Sequence, residues 1–394
     1  MTPSPSRRRL LGASLLPAAL SLVGCGSFGG GDEPSQDPVT ADGPGETKAA
    51  ASPDRCLSDE EASRGERPEP PARADAGPEN EAIPDRPLSE YGLALFAGGE
   101  RIAAQQTSDA LMLGESDTFG TVVWSTADGT ILERLDNGLV GAIAADARGR
   151  LAIGGVTTVE LREADGEVLK VLTGGEEPFG PRIGNRVGDL ALTADGTRLV
   201  VLGADGRVTI WHLEDETCEV EHEIAAELGT VIALSLSPAD DTLALCAEDG
   251  TVELWDPHAG TRTGTGPDLP GTVAGLAHAE DGTLILAADG ERALHALAPS
   301  GEVATGPALS ASGPYWVAAG AGGRVAAVGR GDNRVLLWER ETDGTVELPV
   351  VRGSAGRLVF SPDGRTLYSA SPSQGVVAWS GGESWSSFET PRCS

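Results

Sequence analysis

Positive charge, aromatic side chains and long apolar runs are all scarce in this chain. Its 29 lysines and arginines face 60 aspartates and glutamates, so the formal charge is -31. A field of that sign repels phosphate backbones and anionic membrane surfaces, which argues against a nucleic-acid partner. Lys48 and Lys170 are the only lysines, and the arginine bias reads as codon composition rather than chemistry. The acidity itself reads as the solubility of an exposed protein. No stretch approaches the roughly 20 apolar residues of a membrane-spanning helix. The longest, Leu10 to Val23, has 14.

Catalytic signatures are missing too. There is no GxSxG elbow, P-loop lysine, HExxH helix, CxxC pair or EF-hand loop. His212, His222, His258, His278 and His295 are scattered without ligand spacing. The expectation is therefore no catalytic residue, no metal and no cofactor.

What the chain has in abundance is a repeat, clearest from Thr230 to Gly260. Three apolar runs of strand length, Val231 to Leu236, Thr242 to Cys246 and Thr251 to Trp255, are separated by Ser237-Pro238-Ala239-Asp240-Asp241 and Glu248-Asp249-Gly250. Pro238 cannot donate to a sheet ladder and Gly250 supplies a positive φ, so both gaps read as tight reversals between antiparallel strands. Trp255 closes the third run. Trp211, His295, Trp338 and Trp379 stand in equivalent places at spacings of 40 to 44 residues, and earlier copies close at Trp124 and Leu161. Seven copies with a period of roughly 40 to 45 residues fit blades of a β-propeller, in which radial stacking buries both faces of each small sheet. Asp-Gly, a strong hairpin signal, occurs nine times after residue 90. The expected fold is all-β, a seven-bladed propeller of four-stranded antiparallel blades, with an eight-bladed or incompletely closed ring as the alternative.

Phe360-Ser361-Pro362-Asp363-Gly364-Arg365-Thr366-Leu367, the Asp-Gly before the third strand and Leu254-Trp255-Asp256 resemble WD-repeat propellers, over about three hundred residues from Tyr91 onward. That resemblance implies scaffolding and protein binding rather than catalysis. No copy carries the family's Gly-His pair and only Trp255 is followed by Asp, so apolar blade packing must stand in for the family's hydrogen-bonded tetrad. WD-repeat propellers usually borrow an N-terminal outer strand for the last blade. Here Ile83-Pro84-Asp85-Arg86-Pro87 is a poor strand, and Glu383 to Phe388 is the better candidate to complete blade 7.

The first 24 residues read as a signal peptide, with Arg7, Arg8 and Arg9 ahead of the short apolar run. Leu22-Val23-Gly24 before Cys25 resembles a lipoprotein signal, which implies cleavage and acylation of Cys25 and a place on the extracytoplasmic face of the cell membrane. Ser6 to Leu11 also resembles a twin-arginine signal. Residues 25 to 89 are Pro, Gly, Ala and acidic residues, too poor in apolar groups to fold, and are expected to form a disordered tether ahead of the propeller at 90 to 394. Outside the cytoplasm the remaining cysteines allow two disulfides. Cys56 with Cys393 would pin the two ends of the ring, and Cys218 with Cys246 would join neighbouring blades.

A binding face is expected where loops between second and third strands, and between blades, emerge together. Thr107 to Phe119 and Gly174 to Arg186 are unusually long and carry Leu111, Met112, Phe119, Phe179, Arg182 and Arg186, with Tyr315 and Trp316 near the same rim. The expected function is a membrane-anchored binding or scaffolding module whose partner is an envelope or secreted protein. Trp124 to Leu132 and Glu163 to Leu169 also resemble repeats of lactonase and quinoprotein propellers, which keeps such an enzyme as one alternative. A sensor of a small molecule or glycan is another.

Overall fold

The computed structural model describes residues 55–57 and, apart from several loop segments that include 107–119 and 174–186, residues 88–388. The chain folds as an all-β propeller of seven blades. Strand β1 is Arg55–Leu57. Blade 1 is β2 (Leu88–Phe96), β3 (Arg101–Gln106), β4 (Thr121–Ser125) and β5 (Ile131–Leu135). Blade 2 is β6 (Ala142–Ala145), β7 (Leu151–Gly154), β8 (Thr158–Arg162) and β9 (Val168–Thr173). Blade 3 is β10 (Asp189–Leu192), β11 (Arg198–Leu202), β12 (Val208–His212) and β13 (Glu219–Ile224). Blade 4 is β14 (Val231–Leu236), β15 (Leu243–Ala247), β16 (Val252–Asp256) and β17 (Thr261–Thr265). Blade 5 is β18 (Val273–His278), β19 (Leu284–Ala288), β20 (Ala293–Leu297) and β21 (Val303–Ala308). Blade 6 is β22 (Tyr315–Ala319), β23 (Arg324–Gly329), β24 (Val335–Glu339) and β25 (Gly344–Leu348). Blade 7 is β26 (Leu358–Phe360), β27 (Thr366–Ser371), β28 (Gly375–Ser380) and β29 (Ser384–Ser387).

Strands within a blade pair antiparallel in chain order, and the first strand of each lies innermost. Burial follows from that order. Second strands such as Leu243–Ala247 and Leu284–Ala288 are buried at every position because a neighbouring blade covers each face, and they read as unbroken apolar runs. Fourth strands such as Thr261–Thr265 are mostly exposed and carry Thr, Arg and Gly.

Alternate side chains of one strand serve opposite neighbours. Leu199 and Val201 face blade 2, while Val200 and Leu202 face blade 4. The core is thus seven apolar clusters, one at each blade interface, including one between blades 7 and 1. This closes the ring and removes the eight-bladed and open alternatives, since every inner strand already has two packed neighbours.

Trp124, Leu161, Trp211, Trp255, His295, Trp338 and Trp379 all lie on third strands, as the repeat predicts. Each tryptophan packs toward the preceding blade, where its large ring fills the gap between diverging sheets. Three of their N–H groups bond locally: Trp211 Nε1 donates to Thr209 Oγ1 at 3.0 Å, Trp255 Nε1 to Glu253 Oε2 at 3.1 Å and Trp338 Nε1 to Asp343 Oδ1 at 3.1 Å. The Trp338 ring also needs a glycine beside it, because a Cβ on Gly306 would lie 2.5 Å from it.

Ring closure comes from the C-terminal strand. β29 pairs with β28, and Phe388 then packs into the interface between blades 7 and 1, edge-on to Tyr368 at 5.9 Å between ring centres. Among the described residues, the segment before the ring also contacts it through β1. β1 lies between the outer strands of blades 2 and 3, pairing antiparallel with β9 and with β13, so two sheets become one of nine strands. Both outer edges present unpaired N–H and C=O groups, and one short extended segment satisfies both.

Candidate functional site

Strand reversal sorts the loops onto two faces. Second-to-third turns and blade-to-blade segments share one face; first-to-second and third-to-fourth turns share the other. The gap from β3 to β4 and the gap from β9 to β10 both open on the first face. Leu111, Met112, Phe119, Phe179, Arg182 and Arg186 fall in those gaps and lie outside the described residues. Tyr315 and Trp316 begin β22 on that face. Tyr315 is buried between blades 5 and 6, and Trp316 is half-buried against the cluster between blades 6 and 7. Both rings brace the blade interfaces. A cavity of about 260 Å³ opens nearby between blades 5 and 6, lined by Leu309, Ala327, Leu336, Arg334 and Glu347 among others.

On the same face an ion pair crosses the inside of the ring. Arg357 Nη1 donates to Asp189 Oδ1 at 2.6 Å, and Asp189 also accepts from the Leu190 N–H at 3.0 Å. Asp189 opens the first strand of blade 3 and Arg357 directly precedes that of blade 7, so the two charges meet from blades that are not neighbours. Asp189 is 9% exposed. Neither residue belongs to a motif. Aligning the repeats on their glycines places Arg357 where Thr230 and Thr272 stand, and a charge at a Thr position is a signal the sequence did contain.

The second face is built from aspartate turns. Asp195 Oδ1 accepts from the Thr197 N–H at 2.9 Å, Asp281 from Thr283 at 3.0 Å and Asp363 from Arg365 at 3.1 Å. At Asp195 burial pushes the carboxyl up, but hydrogen bonds from Thr197 and Thr193 outweigh it and hold the pKa down at about 2. An arginine at or just before the start of the second strand then clamps the next blade: Arg150 donates to the Gly196 carbonyl, and Arg324 Nη1 to the Gly364 carbonyl at 2.8 Å. In blade 3 the same position, Arg198, meets His258 Nδ1 at 2.7 Å and Glu221 Oε2 at 2.8 Å, while His258 Nε2 lies 3.3 Å from Asp241 Oδ2. An arginine facing Nδ1 makes that nitrogen the acceptor, so Nε2 carries the proton toward Asp241. These are blade-to-blade ties, each saturated by its neighbours.

The remaining histidines are separate. His278 is buried, with its ring 3.1 Å from Ser235 Oγ, and burial pushes its pKa down to about 4. His295 is buried 3.4 Å from Glu291. Among the described residues no three His, Cys, Asp or Glu side chains gather as metal ligands. Cys246 is a free thiol, fully buried between blades 4 and 5, and burial pushes its pKa to about 12. The expected Cys218–Cys246 bond is therefore not formed: the Cys246 Sγ faces the Val273 carbonyl at 3.4 Å, inside the blade interface. Cys25, Cys218 and Cys393 lie outside the described residues, so the Cys56–Cys393 pairing is not described either.

The family model of the WD domain, G-beta repeat, matches residues 219–256. That span takes the fourth strand of blade 3 and the first three strands of blade 4, so the sequence unit is offset from the blade by one strand. Its closing Trp255-Asp256 has a structural reason. Asp256 Oδ1 accepts the N–H of His258 at 2.8 Å and of Ala259 at 3.1 Å, which builds the turn into β17. The protein is a seven-bladed propeller in which residues 219–256 match a WD repeat.

Proposed function

We propose that the protein is a membrane-anchored, extracytoplasmic lipoprotein whose propeller binds an envelope or secreted protein. The observation that carries the binding reading is the WD repeat within a complete seven-bladed ring. Arg7 to Arg9, the run Leu10 to Val23 and the small residues before Cys25 support the anchor, and the composition of residues 26–89 supports a tether. The face with the two long loops is the proposed recognition surface, with Phe179, Arg182 and Trp316 as anchors.

Two experiments test this. Metabolic labelling with a fatty-acid analogue should mark the wild type and not Cys25→Ala; an unlabelled wild type would refute the anchor. Crosslinking in the native envelope, followed by mass spectrometry, should recover the same protein partner repeatedly. That partner should be lost when Phe179, Arg182 and Trp316 are changed together to Ala in a chain that still folds. Capture that survives this change would place recognition elsewhere.

A further inference from the structure

We propose that β1 is a releasable strap: it docks the segment preceding the ring onto the outer edges of blades 2 and 3, and by docking or leaving it sets how much chain lies free ahead of the ring. Blades 2 and 3 are complete without it, each with four strands of its own in the order the other blades share. The two edges it joins are held in place by the ring itself. Lys170 of β9 donates through Nζ to the Leu213 carbonyl of blade 3, and Leu172 and Val220 pack into the cluster between the two blades. The groove therefore stays formed when β1 leaves it.

The ladder that holds the strap is short at both ends. Arg55, Cys56 and Leu57 oppose Thr173, Leu172 and Val171 of β9, while on the other side Arg55 alone opposes Glu219 of β13. β9 and β13 each run six residues, so β1 claims half of one edge and a single residue of the other. Two residues ahead of Arg55 stands Pro53, which has no N–H to give a ladder, and Leu57 is followed by Ser58-Asp59-Glu60-Glu61, weak strand formers. Three residues lie at the lower limit of strand length. Docking also closes residues 58–87 into a loop, and the entropy of that closure opposes it. A segment with so few pairings opens at a lower free energy than the packed blades behind it.

The consequence for reach rests on the anchor proposed above; the docking does not. With the strap docked, residues 26–54 separate a lipid on Cys25 from the rim, a coil of 29 residues that spans roughly 30 Å. With the strap released, residues 26–87 separate it from β2, a coil of 62 residues that spans roughly 45 Å. One chain thus holds its ring near the membrane by the side of blades 2 and 3, or lets it range further from blade 1.

The test is native-state hydrogen exchange on the purified full-length chain, read by mass spectrometry across a urea series below the unfolding transition. Peptides covering residues 55–57 are expected to exchange at least about tenfold more slowly than a synthetic peptide of residues 51–62, and to lose that protection at urea concentrations where β15 keeps its own. In Cys56→Pro the protection should vanish without urea and the Val171–Thr173 edge should exchange faster, with β15 unchanged. Arg55→Gly combined with Leu57→Gly keeps every N–H and should move the opening to lower urea. A wild type with no protection at 55–57 overturns the docking. Protection lost only together with that of β15 overturns the release, because β1 would then be a fixed part of the fold. A Cys25 that proves unacylated would remove the anchor, while exchange at 55–57 would still decide the strap.

Discussion

Arg357 donates to Asp189 at 2.6 Å across the interior of the ring, from a position 168 residues further along the chain. Among the described residues the strong blade-to-blade packing is between nearest neighbours. This pair joins blades three steps apart. The carboxylate is largely buried and the guanidinium half-buried, so screening by solvent is partial. Removing the cation leaves a desolvated carboxylate behind. Arg357→Ala is expected to cost about 1 to 3 kcal/mol in chemical denaturation, between the values of exposed and fully buried pairs. In a double-mutant cycle with Asp189→Ala the two losses should fall short of additive. Additive losses would mean the charges do not interact.

Phe388 closes the ring. It is 8% exposed, packs edge-on against Tyr368, and its N–H donates to the Val376 carbonyl at 2.8 Å. Phe388→Ala should destabilise by about 3 kcal/mol, as large-to-small changes in cores do. Hydrogen exchange should show the added opening concentrated in blades 7 and 1. An effect spread evenly over all seven blades would count against a latch at this interface.

His278 makes stability depend on pH. Burial pushes its pKa from 6.5 down to about 4, while Asp240 and the Ser235 hydrogen bond act the other way. The folded state therefore holds a neutral ring where the unfolded chain would already be protonated. The stability contributed by the neutral ring is present above pH 6.5 and lost as pH falls from 6.5 toward 4, by an amount on the order of 2 to 3 kcal/mol. His278→Gln should flatten that part of the unfolding profile. An unchanged slope in the variant would show that other groups set it.

Gln105 is a polar residue in an apolar place. It is fully buried on β3, and neither atom of its amide has a hydrogen-bond partner. Leaving an amide unsatisfied costs more than a packed alkyl group of similar size. Gln105→Leu is expected to raise stability by about 1 kcal/mol or more. A loss on this substitution would show that the amide is satisfied in solution.

Local chemistry made the blades legible. The gap Ser237 to Asp241 and the Asp249-Gly250 turn separate β14, β15 and β16 within a residue of where the sequence places them. The strand-forming character of Ser384–Ser387, followed by Phe388, was legible in the same way. The ion pair was not legible, because nothing near Asp189 in sequence announces Arg357. β1 was hidden for a related reason: Arg-Cys-Leu has no strand pattern of its own in a polar segment, and its conformation comes from two waiting sheet edges.

The sequence by itself determined a chain of seven similar sheets, because strand length, Asp-Gly turns and a recurring tryptophan are short-range properties that repeat every forty-odd residues. Tertiary structure alone decided which face each alternate side chain serves, that Cys246 lies sealed between blades, and that Asp189 and Arg357 meet. The first two outcomes depend on how adjacent blades stack, and the third on closing the ring, which brings together groups whose separation along the chain carries no energetic signal until the last blade packs against the first.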